Sequence, residues 1–330
     1  MGRVEAGDSP ASRKGSEREV MTARQAVRAG LHAAARNPWM VWLFFAANLL
    51  LAAAVAVPMH SAIADYLGNS SRGNELVAGF SAAWLTEFQL LNAGFLKGFS
   101  IAIVYAGIVF LVLNTALSAG AFEVFYRGPG ATAHAFGRGM GRYSGRFFSL
   151  AALASVFYFI VFWFFNHLAP HIVDQFFGQG VREVWAFYMN WVRWALFFLC
   201  VLAVNALVDY AKADLVADDH GSVLAALGHA AGFVWRHRGR VLRAYLALAL
   251  LAGLAIFAYA AFARFFPQHS ALTIFLWFLV AQALLWLRWL LRLAQWGAAT
   301  ALYGRFPLPA PAPAPEPATE PATEPVTSLS

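Results

Sequence analysis

The sequence is short of charge, and of cysteine above all. Only 12% of its 330 residues are Asp, Glu, Lys or Arg, while 60% are hydrophobic and 16% aromatic. A soluble globular chain carries about 25% charged residues. Length alone would suit two soluble domains, but the long apolar runs overrule that count and make a membrane protein the class that fits. The single cysteine, Cys200, lies inside an apolar run. This excludes an intrachain disulfide, a cysteine-held iron–sulfur cluster and a thiolate zinc site, and leaves a small buried hydrophobe as its role. Familiar catalytic motifs are missing as well. No G-x-S-x-G serine elbow, strand-borne G-x-G-x-x-G, Walker loop, H-E-x-x-H or C-x-x-C occurs. The glycine-rich GRGMG at 137–141 lies in an amphipathic segment instead of a strand–helix turn, so it does not read as a phosphate loop. An enzyme is the less favoured reading, and no cofactor is expected.

Six apolar runs remain, at about 39–59, 99–117, 147–165, 187–208, 244–263 and 272–296. Each is long enough to cross a bilayer. A signal peptide cleaved after Ala62-Ile63-Ala64 is disfavoured by the 38-residue polar region before the first run. Residues 80–92 have mixed periodicity and suit a short helix on the outer surface. The residues between runs repeat. Asn114 recurs as Asn205, Glu123 as Asp214, Gly130 as Gly221, and Ala135-Phe136-Gly137 as Ala226-Leu227-Gly228, all 91 positions apart. Gly297 and Tyr303 then echo Gly120 and Tyr126. Before the odd runs stand basic stripes of four-residue period: Arg24, Arg28, His32, Arg36, then His134, Arg138, Arg142, Arg146, and more loosely His229, Arg236, Arg240, Arg243. That spacing places the cations on one helix face, with Ala26, Val27, Gly30, Leu31 and Ala34 on the opposite face of the first. Such a helix suits the plane of the headgroups.

The expected fold is an all-α membrane protein. Its six transmembrane helices form three repeated two-helix units (about 22–126, 131–217 and 222–306), each preceded by an interfacial amphipathic elbow. A polar segment at 1–21 and a proline-, alanine- and glutamate-rich segment at 307–330 flank this 22–306 membrane domain and read as disordered. Seventeen Lys and Arg residues fall on one set of connections and four on the other, which places both termini in the cytoplasm. The 21 Arg against 3 Lys, in a chain rich in Ala and Gly, suggest a GC-rich bacterial genome and hence a bacterial inner membrane.

Candidate sites follow from the same features. Arg24, Arg28, Arg36, Arg138, Arg142, Arg146, Arg236 and Arg240 are candidate ligands for anionic headgroups, each contributing about 1 kcal/mol near a charged surface. Arg288 and Arg292 lie within the sixth run, one turn apart. They either snorkel to the interface or pair with Asp209, Asp214 or Glu123 from neighbouring units around an inner vestibule. Asn114 and Asn205 suit interhelical hydrogen bonds. His60, His167 and His269 each follow an odd run, with His171 and Asp174 nearby, but Pro170 spoils the His167–His171 pairing and no metal site is expected. Few charges lie within the runs, which favours a packed bundle over one enclosing a cavity.

The elbow before each odd run, the acid after each even run (Glu123, Asp214) and the segment DYAKADLVADD at 209–219 resemble uncharacterised six-pass bacterial membrane proteins. They are also similar in layout to the membrane domain attached to some glycerophosphodiester phosphodiesterases, whose catalytic domain has no counterpart here. The resemblance covers about 22–306 and implies a fold more than an activity. The leading functional reading is a non-enzymatic accessory module binding anionic membrane lipids or a partner membrane protein through its basic elbows; nucleic acid is not a partner. The alternative is a transporter or channel for a small solute or lipid, which a polar cavity among Asn48, Asn114, Asn205, Gln282 and Arg288 would favour. A membrane-embedded hydrolase comes third, for want of paired carboxylates at one depth.

Overall fold

Residues 21–68, 82–171, 183–217, 222–265 and 270–304 are described by a computed structural model, and among them there is no strand. Nine helices follow in chain order: α1 (Ala23–Arg36), α2 (Pro38–Gly68), α3 (Ala82–Leu91), α4 (Ala93–Arg127), α5 (Ala133–Trp163), α6 (Glu183–Ala217), α7 (Val223–Arg236), α8 (Arg238–Phe265) and α9 (Ala271–Gly304). Six of them, α2, α4, α5, α6, α8 and α9, are long and apolar enough to cross a membrane. The chain is an all-helical, multi-pass integral membrane protein.

Local chemistry explains where the helices begin and turn. Thr22 opens α1 with a capping box: its Oγ1 accepts from the Gln25 N–H at 3.3 Å, and its own N–H donates to Gln25 Oε1 at 2.7 Å. Asn37 closes α1, and Pro38, which needs no amide partner at a first helical position, starts α2. Gly128 and Gly130 have φ of 77° and 94°, a region that other residues enter at a cost, and they make the tight connection from α4 to α5. At the far end of α5 the ladder widens into one π turn, Phe164–Leu168, and Arg193 of α6 donates to the Phe165 carbonyl across it at 3.5 Å. Helix α3 sets Trp84 and Phe88 against Tyr66 of α2, with the Phe88 and Tyr66 ring centroids 5.4 Å apart.

One end of the bundle carries the core. Phe44, Phe122, Phe147, Leu150, Tyr210, Leu215, Leu293 and Leu302 are fully buried there, where the starts of α2, α5 and α8 meet the ends of α4, α6 and α9. Toward the other end the helices present Ile103, Val104, Phe159, Ile160, Leu250 and Phe257 outward, a surface suited to hydrocarbon, where every backbone group is already satisfied within its helix.

Close backbone approach sets the packing at the core end. A β-carbon on Gly30 of α1 would stand 2.1 Å from the Ala294 carbonyl oxygen of α9, and one on Gly139 of α5 would stand 2.5 Å from the Glu123 β-carbon of α4. Small residues permit such contacts, as they do between helices in membranes.

The helices depart from the sequence expectation at their boundaries. The basic segment at 131–146 is no separate helix, because α5 runs unbroken from Ala133 through the third apolar run. The acidic residues after the even runs are not in loops: α4 continues to Arg127 and α6 to Ala217, so Glu123, Asp209 and Asp214 are all helical. Residues 1–20 and 305–330, which cover nearly all of the two flanking segments, lie outside the described residues, as do Asp174, Gly221 and His269.

Candidate functional site

Three helices turn a polar face toward the same space near the core end. On α6, Asn205, Asp209 and Lys212 fall at intervals of four and three, one side of a helix. On α9, Arg288, Arg292 and Gln295 repeat that interval, and on α4 Asn114 and Ser118 stand one turn apart with Thr115 beside them.

The centre of the arrangement is Asp209, whose side chain is entirely buried. Arg292 donates Nη1 to its Oδ2 at 3.0 Å and Nη2 to its Oδ1 at 3.2 Å. Tyr245 Oη of α8 donates to Oδ2 at 2.9 Å, and Trp296 Nε1 of α9 donates to Oδ1 at 3.1 Å. Four hydrogen bonds from two other helices thus hold one carboxylate, two of them from a guanidinium in the two-pronged geometry that binds carboxylate best. Arg292 also donates to Gln295 at 2.8 Å and lies over the Trp296 ring. Arg292 therefore does not snorkel; it is held inward by a charge on another helix.

Lys212 comes from the helical turn beyond Asp209 but makes no ion pair among the described residues. Its Nζ sits 5.6 Å from the Phe147 ring centre and 5.5 Å from that of Trp296, and 3.4 Å from Ser118 Oγ. Aromatic faces attract a cation but do not neutralise it. Arg288, exposed one turn before Arg292, makes no hydrogen bond or ion pair among the described residues either.

These groups surround a cavity of about 440 Å³, with Asn114, Thr115, Asn205, Lys212, Arg288 and Arg292 among its walls and Leu202, Leu248 and Trp289 filling between them. A space with polar walls thus lies between these helices. Among the described residues the one acid beside the cavity is Asp209, already paired with Arg292, so three cations (Lys212, Arg288 and Arg292) share a single carboxylate. A second space of about 630 Å³ adjoins it across Phe110, Arg288 and Trp289 and is apolar, running between α2, α4 and α9. At the boundary Asn48 and Asn114 donate their amides to each other, at 3.1 and 3.0 Å. Asn205 instead turns its amide to the Val201 carbonyl of its own helix.

Asp214 and Glu123, the other two acids expected at an inner vestibule, do not line this cavity. Asp214 is 2% exposed and accepts from Tyr303 Oη of α9, with His229 Nδ1 of α7 3.3 Å away. Glu123, 4% exposed, takes Arg127 of its own helix at 2.5 Å. Of the residues grouped by sequence around a vestibule, the structure brings together Asn114, Asn205, Asp209, Arg288 and Arg292; it sets Asp214 and Glu123 apart, each with partners of its own. Gln282 does not line the cavity, and its Oε1 is buried without a partner. Lys212, Tyr245 and Trp296 went unrecognised in the sequence, although the three-residue step from Asp209 to Lys212 on an otherwise apolar face was a visible signal.

Basic residues cover the outside of the core end. Arg24, Arg28, Arg36, Arg138, Arg142 and Arg236 are exposed, and Arg146 and Arg240 are half-buried. Ala26, Gly30 and Ala34 of α1 and Ala226, Ala230 and Phe233 of α7 are buried on the opposite faces. Among the described residues no group of three or more His, Cys, Asp or Glu side chains is placed to hold a metal. Comparison with protein-family models, curated proteins and solved structures gives no match to any of them.

Proposed function

We propose that this protein takes up an anionic ligand between its helices and acts as a transporter for a small anionic solute or a lipid. The observation that carries the reading is the pair of cations, Lys212 and Arg288, facing a 440 Å³ cavity whose one acid among the described residues, Asp209, is already paired with Arg292. An uncompensated charge within a membrane costs at least about 2.5–3.5 kcal/mol, and a bound anion removes that cost. The polar residues concentrate at the interfaces between α4, α6 and α9, where transporters built from repeated units place their sites.

A three-unit organisation would suit the same reading: α5 packs on α4, α7 on α6, and α1 on α9, so that the first helix meets the last. The exposed basic faces of α1, α5 and α7 favour contact with anionic headgroups of the inner leaflet, with the core end toward the cytoplasm of a bacterial inner membrane. That contact also serves the accessory reading, in which a lipid or partner membrane protein is merely held; movement of a ligand separates the two.

Proteoliposomes provide the test. Vesicles loaded with inorganic phosphate, and a second set carrying fluorescent phosphatidylglycerol in one leaflet, should show movement of at least one probe above protein-free vesicles. Lys212→Gln and Arg288→Gln should each lower that rate at least fivefold. If neither probe moves, or if both variants move it at the unaltered rate, the transport reading is wrong.

A further inference from the structure

The geometry points to an anionic lipid as the occupant, with its phosphate on Lys212 and Arg288 and an acyl chain lying in the apolar groove beside them. The inference rests on the reading of the cavity as an anion site and adds the class of ligand.

The two spaces differ in chemistry and share a wall. The cavity holds the uncompensated cations, while the groove of about 630 Å³ is lined by side chains such as Leu49, Val55, Met59, Phe99 and Ile103. Its polar side chains, Asn48 and Arg288, both stand at the end that meets the cavity. A water-soluble anion would find partners in the first space and, beyond Asn48 and Arg288 at their shared end, none in the second. A molecule charged at one end and apolar along the rest satisfies both. The groove follows α2 from Asn48 to Met59, about 16 Å along a helix axis, a reach that suits an acyl chain better than a compact solute. It runs away from the basic core end, so a headgroup on Arg288 would sit deeper than the ordinary headgroup layer, in a place where only fixed cations stabilise it.

Gly107 of α4 lines the groove, and a β-carbon there would meet nothing within 4 Å. A large side chain built on that β-carbon would occupy the acyl channel, and Gly107 is not among the walls of the cationic cavity. Arg288 is exposed and forms no internal ion pair, so its substitution does not disturb the core.

The experiment measures lipid and phosphate binding to the purified full chain by native mass spectrometry and by equilibrium dialysis. The probes are phosphatidylglycerol, phosphatidylcholine and inorganic phosphate, and the unaltered protein should prefer phosphatidylglycerol to phosphatidylcholine at least tenfold. Gly107→Phe should weaken phosphatidylglycerol binding at least tenfold and leave inorganic phosphate unchanged. Arg288→Gln should weaken both, and Arg288→Lys should restore much of the loss. If Gly107→Phe leaves the lipid bound as before, or if phosphate alone binds, the lipid inference is overturned while the anion cavity stands. If Arg288→Gln and Lys212→Gln leave every probe unaffected, the anion site itself is overturned, and the lipid inference with it.

Discussion

Asp209 and Arg292 lie on different helices, and each is the other's only charge partner among the described residues. A carboxylate with no exposed surface is tolerable here because Arg292, Tyr245 and Trp296 together satisfy both of its oxygens. Replacing two such ions by neutral groups is often harmless, whereas removing one strands the other and costs about 3–5 kcal/mol. Asp209→Asn keeps one acceptor for Tyr245 or Trp296 but leaves the guanidinium unbalanced; Arg292→Gln does the converse. Each single variant should lower the thermal midpoint of the protein in detergent by several degrees. The double variant should lose clearly less than the two losses added, since neither charge then remains. Additive losses would mean that the two side chains act independently, and that the short distances between them contribute nothing to holding α6 on α9.

Helix contacts at the core end depend on which glycine faces which backbone. Gly139 and Gly137 lie two residues apart on α5, yet a β-carbon at 139 would overlap Glu123 and approach the Ala119 carbonyl at 3.0 Å, while one at 137 would meet nothing within 4 Å. Alanine favours an open helical position by about 1 kcal/mol over glycine, so Gly137→Ala should raise the thermal midpoint in detergent. Gly139→Ala should lower it, because α4 and α5 must separate. Equal shifts of one sign would show that this contact does not set the helix spacing. The stripe Arg138, Arg142, Arg146 marked in the sequence the side of this segment that is exposed at Arg138 and Arg142, opposite the side that buries Ala135, Gly139 and Tyr143. It gave no means of telling that Gly139, rather than any other glycine of GRGMG, meets a neighbouring backbone. The helix ends were hidden for a related reason. Hydropathy falls at Glu123, Asp209 and Asp214, so the apolar runs stop at about 117 and 208, but partners from other segments (Tyr245, Trp296, Tyr303, His229) or from the next turn (Arg127) let the helices continue to Arg127 and Ala217. A window of sequence contains the acid and not the groups that accommodate it.

At the scale of the whole molecule, six membrane-crossing helices were legible because their apolar length is a local property, whereas the cavity arises from three separate faces that meet only after folding. The sign of the charge at each end is local too, and it determines how the molecule sits. The core end carries the exposed arginines of α1, α5 and α7, and seventeen Lys and Arg residues lie on the connections at or leading to that end, against four on the others. Segments rich in Lys and Arg are retained on the cytoplasmic side when a helical protein inserts. Ala133, exposed at the start of α5, should therefore face the cytoplasm, and Gly68, at the far end of α2 with open space around it, should face outward. Cys200 sits part-way along α6 and is first replaced by alanine, so that each reporter is the sole thiol. A membrane-impermeant maleimide applied to intact bacterial spheroplasts should then label Gly68→Cys at once. It should label Ala133→Cys only after the membrane is permeabilised. The reverse pattern would place the basic helices on the outer face, where anionic headgroups of the cytoplasmic leaflet could not reach them.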